Sequence, residues 1–406
     1  MNFNINNGRL RSYHNTSGAT SITIPDTVQT IGSWALGKQD QLVSIRIPAS
    51  VEDIGYHSFY ECPNLKSIQV SEVNPFFSDI DGVLYDKKQS ILLHCPNGLE
   101  KIHIPASVVS MKKTDSFAGC HLLKEITVDK HNRKYTVLNG VLYEHNGFIL
   151  TKLIRCPVHI RKLKIPKSVK AICHHAFEYC TELEEITIPK RVTEIEDYTF
   201  KDCHNLKQVH LHSRITVIRQ SAFRYCKSLK EIILPSGVKE VSANAFDGCE
   251  SLEKLVIPET VESVGYIVGN CPALKSVTCH GINLPMKHSG EINGIIWMIA
   301  RKDIEEKITP AVKYPVLWQM FIRNRDDLKM EQYIRKHLHE IITELILDNQ
   351  IEMTQNYLNY FRELLTTQNI DEFIRLAIDN QKYEIQIFLT NMKYKRNDFA
   401  PKDWSL

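Results

Sequence analysis

The stretch L-E-E-I-T-I-P-K-R-V-T-E-I-E-D-Y-T-F-K-D-C-H-N-L, from Leu183 to Leu206, decides the fold. Its first residues run into apolar–polar alternation, the pattern of a strand buried on one face. Pro189 stops that strand, because proline has no N–H to give to a ladder. Val192 and Ile195 point back inward, Phe200 and Cys203 close the interior, and Leu206 opens the next strand. The same columns recur along the chain. Cys180, Cys203, Cys226 and Cys249 follow one another at 23 residues, as do Phe177, Phe200, Phe223 and Phe246. Pro166, Pro189, Pro235 and Pro258 share a column in which His212 takes the missing place, and Pro25 and Pro48 keep the step near the start. Self-similarity at this period marks a solenoid. One unit buries little on its own, whereas stacked units share a continuous core.

Working outward, strand cores of the I-x-I kind begin at Ile22, Ile45, Ile68, Ile102, Ile126, Leu163, Ile186, Val209, Ile232, Leu255 and Val277. In register, these predict a parallel sheet roughly 50 Å long. Two intervals are stretched: Cys62 to Cys120 is 58 residues and Cys120 to Cys180 is 60. Each holds an insert with G-V-L-Y, a polar turn, an apolar strand and Cys-Pro, starting from Asn74 and from Asn132. That is a β-hairpin signal, with Gly82 and Gly140 where φ is positive.

The unit I-x-I-P-x-x-V-x-x-I-x-x-x-A-F-x-x-C-x-x-L, together with the N-P…D-G-V-L-Y…C-P insert, resembles the BspA-like bacterial leucine-rich repeat. The resemblance covers roughly residues 1–280. It implies an α/β solenoid, a curved leucine-rich-repeat parallel sheet with two β-hairpin inserts, followed by an all-α domain. The expected organisation is an N-terminal cap at 1–20, the solenoid at 21–280, a helical domain at 285–395 and a tail at 396–406. Members of that family are often secreted or surface-exposed adhesins, and this chain departs from them in showing no export or anchoring signal.

Past Cys279 the period ends, and Gly281 to Gly290 has the composition of a junction. Beyond it, Tyr333, His337, Ile341 and Leu345 form one helical stripe, with Ile334, Leu338, Ile342 and Ile346 beside it. Thr309-Pro310 fits a helix start, and Asn369 to Glu372 fits an N-cap on Asn369 with a capping glutamate. Five or six helices in antiparallel pairs are expected. The segment from Ala377 resembles the helix-turn-helix of ankyrin-type repeats, with its turn near Asp379-Asn380.

The chain has 406 residues, with 50 Lys and Arg against 47 Asp and Glu, so no global charge draws it to nucleic acid. Its N-terminus lacks the apolar run of a signal peptide, and its densest apolar stretch, Ile295 to Ala300, is far short of a membrane span. The 11 cysteines are expected to be reduced thiols that fill space. No zinc-type C-x-x-C pair, Walker loop, G-x-S-x-G or H-E-x-x-H is present. The His174-His175 pair reads as outer-coil surface, and His210 with His212 as a contact pair. No catalytic residue, metal site or cofactor is expected.

The exposed strand face is the candidate site. Alternation places Arg46, Gln69, His103, Thr127, Lys164, Thr187, His210, Ile233 and Val256 on the concave surface, with Lys101 and Lys162 in a flanking column. The stripe passes from basic and polar at mid-array to Ile233 and Val256, an apolar end that either the helical domain or a partner covers. The expected function is a non-enzymatic protein-interaction scaffold in the cytoplasm of a bacterial cell. A surface or released adhesin for host protein or glycan, exported by a non-classical route, is the alternative. A protein partner is expected, without nucleic acid or membrane.

Overall fold

A computed structural model describes residues 2–112, 116–284 and 290–397. The junction expected between Gly281 and Gly290 lies outside the described residues at 285–289, and the tail expected at 396–406 lies outside them from 398 onward. The chain divides into two compact units, Met1–Ser276 and Val277–Leu406.

The first unit is a β-solenoid in which each turn contributes a front strand and a two-residue rear strand. It opens on an antiparallel hairpin, Asn2–Asn6 with Arg9–His14, whose second strand runs parallel to Thr30–Ile31 and so starts the rear ladder. The front ladder expected as one sheet is broken. Ser21–Thr23, Ser44–Ile47 and Ser67–Val70 pair in parallel, Lys101–Ile104 pairs with Glu125–Val128, Glu185–Thr187 with Gln208–His210, and Glu231–Ile233 with Lys254–Ile257. At Leu163 the strand shrinks to a single bridge, Lys162 to Glu185. The two inserts cause the first gaps by occupying the space between successive turns.

Three columns hold the turns together. Phe177, Phe200, Phe223 and Phe246 are buried and stack face on face, with ring centroids 5.0, 5.2 and 5.7 Å apart. No disulfide joins any of the 11 cysteines. Each thiol of the 23-residue column reaches the backbone of the previous turn: Cys203 Sγ to Phe177 O at 3.0 Å, Cys226 to Phe200 O at 3.1 Å and Cys249 to Phe223 O at 3.3 Å. Burial pushes the Cys203, Cys226 and Cys249 thiols up, so they stay protonated donors. At the position where proline is missing, His212 Nε2 sits 2.9 Å from Pro189 O, again across one turn.

Tight corners complete each turn. Five residues before the cysteine, His57, His175, Tyr198, Ser221 and Asn244 have φ of 53–57°, and one residue before it, Glu61, Tyr179, Asp202 and Tyr225 have φ of 57–60°. A left-handed non-glycine residue costs roughly 1–2 kcal/mol. Here the corner N–H groups bond across turns, with Tyr179 N donating to Lys201 O at 2.9 Å and Asp202 N to Arg224 O at 2.9 Å.

Each insert is a hairpin extended by a further strand. Phe77–Ile80, Val83–Asp86 and Ile91–His94 form the first, and Tyr135–Leu138, Val141–Asn146 and Ile149–Arg155 the second. The last strand of each joins the rear ladder in parallel, onto Ser110–Met111 and Ala171–Ile172. The two-residue turns Asp81-Gly82 and Asn139-Gly140 have positive φ at both positions, as type I′ hairpin turns require. Gly82→Ala is expected to destabilise more than Gly140→Ala. Both pay roughly 1–2 kcal/mol for the left-handed backbone. An added Cβ at Gly82 would also stand 2.8 Å from Ser67 Cα, whereas at Gly140 its nearest neighbour is at 3.9 Å. Equal shifts in the urea midpoint of the two variants would contradict this.

The second unit begins at Val277, inside the strand Ser276–Cys279, which pairs antiparallel with Ile282–Asn283 at Thr278↔Asn283 and Cys279↔Ile282. Six helices follow among the described residues: α1 (Ile292–Arg301), α2 (Pro310–Arg323), α3 (Leu328–Leu347), α4 (Ile351–Tyr360), α5 (Thr367–Asp379) and α6 (Tyr383–Asn397). The α3 stripe buries Ile334, Leu338, Ile341, Ile342, Leu345 and Ile346. Thr309 and Pro310 do start α2. The cap of α5 lies one turn earlier than Asn369. Thr366 accepts from Asn369 N while Asn369 accepts from Thr366 N, a reciprocal capping box with Asn369 at its third position. No helix among the described residues is long and apolar enough to cross a membrane.

Candidate binding face and buried polar cluster

The outward column of the front strands is exposed as the alternation requires. Arg46, Gln69, Lys101, His103, Thr127, Lys162, Lys164, Thr187 and Ile233 are exposed, while His210 and Val256 are half-buried. Register brings them together in short groups, because the ladder is broken. Arg46 Nη2 donates to Gln69 Oε1 at 3.2 Å, and His103 Nδ1 lies 3.0 Å from Thr127 Oγ1. Ile233 pairs with Val256 across the ladder and keeps 54% of its surface exposed.

The basic character read at mid-array is offset in part by carboxylates. Lys101 Nζ is 2.6 Å from Glu125, Arg161 is 2.9 Å from Glu184, and His210 Nε2 is 2.6 Å from Glu185. Glutamates of neighbouring turns thus stand beside Lys101, Arg161 and His210. This also separates His210 from His212, whose Nε2 faces Pro189 O. Among the described residues no group of three or more His, Cys, Asp or Glu side chains could hold a metal ion.

A groove of about 300 Å³ opens on this face where the first insert meets the front strands. The insert turn contributes Ile80, Asp81 and Val83, and the strands contribute Lys101, Ile102, His103, Glu125 and Thr127. Three of the residues read from sequence therefore line one concavity. The sequence announced the insert's hairpin but not its place beside these strands.

The other chemically dense region was read wrongly from sequence. His175 is buried, not on the outer coil, because its left-handed backbone turns the imidazole toward the stack. Its Nδ1 lies 2.8 Å from Glu178 Oε2, and Glu178 is fully buried. Glu178 Oε1 accepts from Tyr60 Oη at 2.6 Å, and Oε2 accepts from Gly119 N at 2.8 Å. Lys201, also buried, donates to Tyr60 Oη at 3.0 Å and stands 3.5 Å from Glu178 and 3.1 Å from Asp202. Burial opposes the charge on Glu178, but His175, Lys201 and the Tyr60 hydroxyl outweigh it and hold the carboxyl well below its usual range. Burial likewise opposes the charge on Lys201, and Glu178 and Asp202 outweigh it, raising that ammonium's pKa. Arg155, fully buried, donates to His175 O and, at 2.7 Å, to Cys120 O. Glu178, Lys201 and Arg155 each reach groups on other turns of the stack, so the cluster is a clamp across the inserts.

A pile of short parallel strands with a proline-ended front edge and a thiol column defines a leucine-rich-repeat protein. Residues 9–89 and 155–275 match the BspA type leucine rich repeat region in six copies. The chain belongs with the BspA-type leucine-rich-repeat proteins and carries a C-terminal helical region. It is similar to a leucine rich cell surface protein from Faecalibacterium prausnitzii, at 26% identity and a TM-score of 0.41, over 68% of this chain and 92% of that one. It is also similar to the pneumococcal vaccine antigen PcpA, at 23% identity and a TM-score of 0.46, over 66% of this chain and 71% of that one. A leucine-rich repeat protein from Eubacterium ventriosum matches at 19% identity and a TM-score of 0.35, over 64% and 75% of the two chains. No curated protein matches the sequence.

Proposed function

We propose that the chain is a protein-interaction scaffold without catalytic chemistry, and that the front strand face of its repeats is the binding surface. One observation carries the reading. The inward residue of each front strand is locked by the core, while the outward residue beside it is exposed and changes type from turn to turn: Arg46, Gln69, His103, Thr127, Lys164, Thr187, Ile233. Varied side chains at a fixed strand spacing of about 4.8 Å suit a protein ligand, which takes about 800 Å² per partner. Eleven cysteines without a disulfide support a reducing compartment, the cytoplasm.

The test is co-purification of partners with the full chain, repeated with His103→Ala, Lys164→Ala and His210→Ala combined. At least a tenfold loss of affinity is expected for the partner of the front face. A partner that binds the triple variant undiminished would overturn the choice of face. Recovery of the chain outside intact cells would favour an adhesin for host protein or glycan instead.

A further inference from the structure

We propose that the groove beside the first insert receives an extended peptide segment of a partner protein, which adds as a strand to the open edge of Lys101–Ile104. This rests on the scaffold reading and names what the scaffold holds at one place.

In a parallel ladder, alternate residues of a strand serve its two neighbours. Glu100 O accepts from Glu125 N at 3.0 Å and Ile104 O accepts from Asp129 N at 2.9 Å. The even-numbered residues thus serve Glu125–Val128, and the N–H and C=O groups of Lys101 and His103 face the other way, toward the insert. In the unbroken array that side holds the previous turn, as Ser44–Ile47 lies between Ser21–Thr23 and Ser67–Val70. The first insert does not replace it. Its polar groups go to the turn on its other side, where Gly82 O accepts from Ile68 N at 2.8 Å and the Asp79 carboxylate from Val70 N at 2.7 Å. Among the described residues Lys101–Ile104 pairs only with Glu125–Val128.

The result is a half-used strand whose free edge lines a cavity of about 300 Å³. Ile80, Val83, Leu99 and Ile102 give that cavity apolar lining, and Lys101 with Glu125, His103 and Asp81 give it polar lining. A peptide in extended form presents C=O and N–H at the same two-residue repeat, about 6.6 Å, and turns alternate side chains to one side. Its main chain satisfies Lys101 and His103, and one apolar side chain enters the cavity between flanking polar ones. Main-chain bonds of this kind supply affinity and the pocket supplies choice of side chain. A glycan has no donor–acceptor alternation at strand spacing and does not match this edge.

The experiment uses the full chain and a heptapeptide selected on it from a phage-displayed library and resynthesised. In the free chain, amide exchange should be fast at Lys101 and His103 and slow at Ile102 and Ile104, and the peptide should slow the first pair. His103→Pro removes an edge N–H that no ladder bond uses, so the fold should survive it, while peptide affinity should fall at least tenfold. His103→Ala, which keeps the N–H, should stay within threefold. N-methylation along the peptide should weaken binding at alternate residues only. Slow exchange at Lys101 and His103 in the free chain, or no selected peptide that protects them, would overturn the inference. Binding that ignores His103→Pro but is lost in the combined His103, Lys164 and His210 variant would overturn strand addition while leaving the scaffold reading intact. Binding that ignores both would sink the two together.

Discussion

Phe200→Ala should lower the stability of the repeat unit by about 3–5 kcal/mol, at the upper end of large-to-small core changes. The ring is fully buried and stacked on both sides, at 5.0 Å from Phe177 and 5.2 Å from Phe223. The hole it leaves cannot close, because each neighbouring ring is fixed by its own turn and the turns are pinned by backbone bonds such as Phe200 N to Ala222 O at 2.8 Å. Urea unfolding followed by far-ultraviolet circular dichroism measures the loss. Stability in a stacked array sums over nearest neighbours, so Phe246→Ala, with one stacked phenylalanine at 5.7 Å, should cost less. A Phe200→Ala loss below about 1.5 kcal/mol would mean that the column fills space without being tightly packed.

The columns legible in the sequence are those in which every turn needs the same thing. A phenylalanine must meet a phenylalanine and a thiol must meet a carbonyl, so identity repeats and the eye finds it. Columns in which neighbours must differ do not repeat. Two residues before each cysteine stand Tyr60, Ala118, Glu178, Lys201, Arg224 and Asp247. Read downward this is a ladder of complementary partners: small Ala118 leaves Tyr60 free to reach Glu178, Glu178 meets Lys201, and Arg224 meets Asp247 at 2.9 Å. Its signal is complementarity at the repeat step, which a search for recurrence passes over. The same reasoning explains His175, misread as surface because histidine on a turn usually is.

The front face was legible for a simple reason and incomplete for another. Period-two alternation fixes which side chains leave the core, and nine of the eleven named residues are exposed, with His210 and Val256 half-buried. It says nothing about which neighbour each backbone group meets. That depends on where an insert lies, and the turn Asp81-Gly82 announces a hairpin without announcing which strand it will cap. The further strand of each insert, Phe77–Ile80 and Tyr135–Leu138, was missed although the two-residue turn implies a partner on its other side.

Glu178→Ala should be as damaging as the loss of Phe200, by about 3–5 kcal/mol, because it strands buried partners rather than emptying a hole. Lys201 would keep Asp202 at 3.1 Å and Glu61 at 3.8 Å but lose its buried counter-ion, and Gly119 N would lose its acceptor. Glu178→Gln keeps the shape and part of the hydrogen bonding and should cost less. The charge itself is read by pH. The folded carboxyl of Glu178 lies below its ordinary 4.5, so unfolding takes up a proton there, and its stabilisation is present above about pH 4.5 and lost as pH falls toward the folded value. His175 acts in the same direction from higher pH. Burial holds its folded pKa below 6.5, so the unfolded imidazole is protonated first, and stability begins to fall below about pH 6.5. Lys201, whose pKa is raised, stays charged throughout this range and contributes no slope. Unfolding midpoints between pH 8 and pH 3.5 should therefore fall in two stages. Glu178→Gln should flatten the lower stage. His175→Gln should flatten the upper one, and a wild-type chain with a level midpoint from pH 7 to pH 4 would show that the clamp is not built on a buried charge.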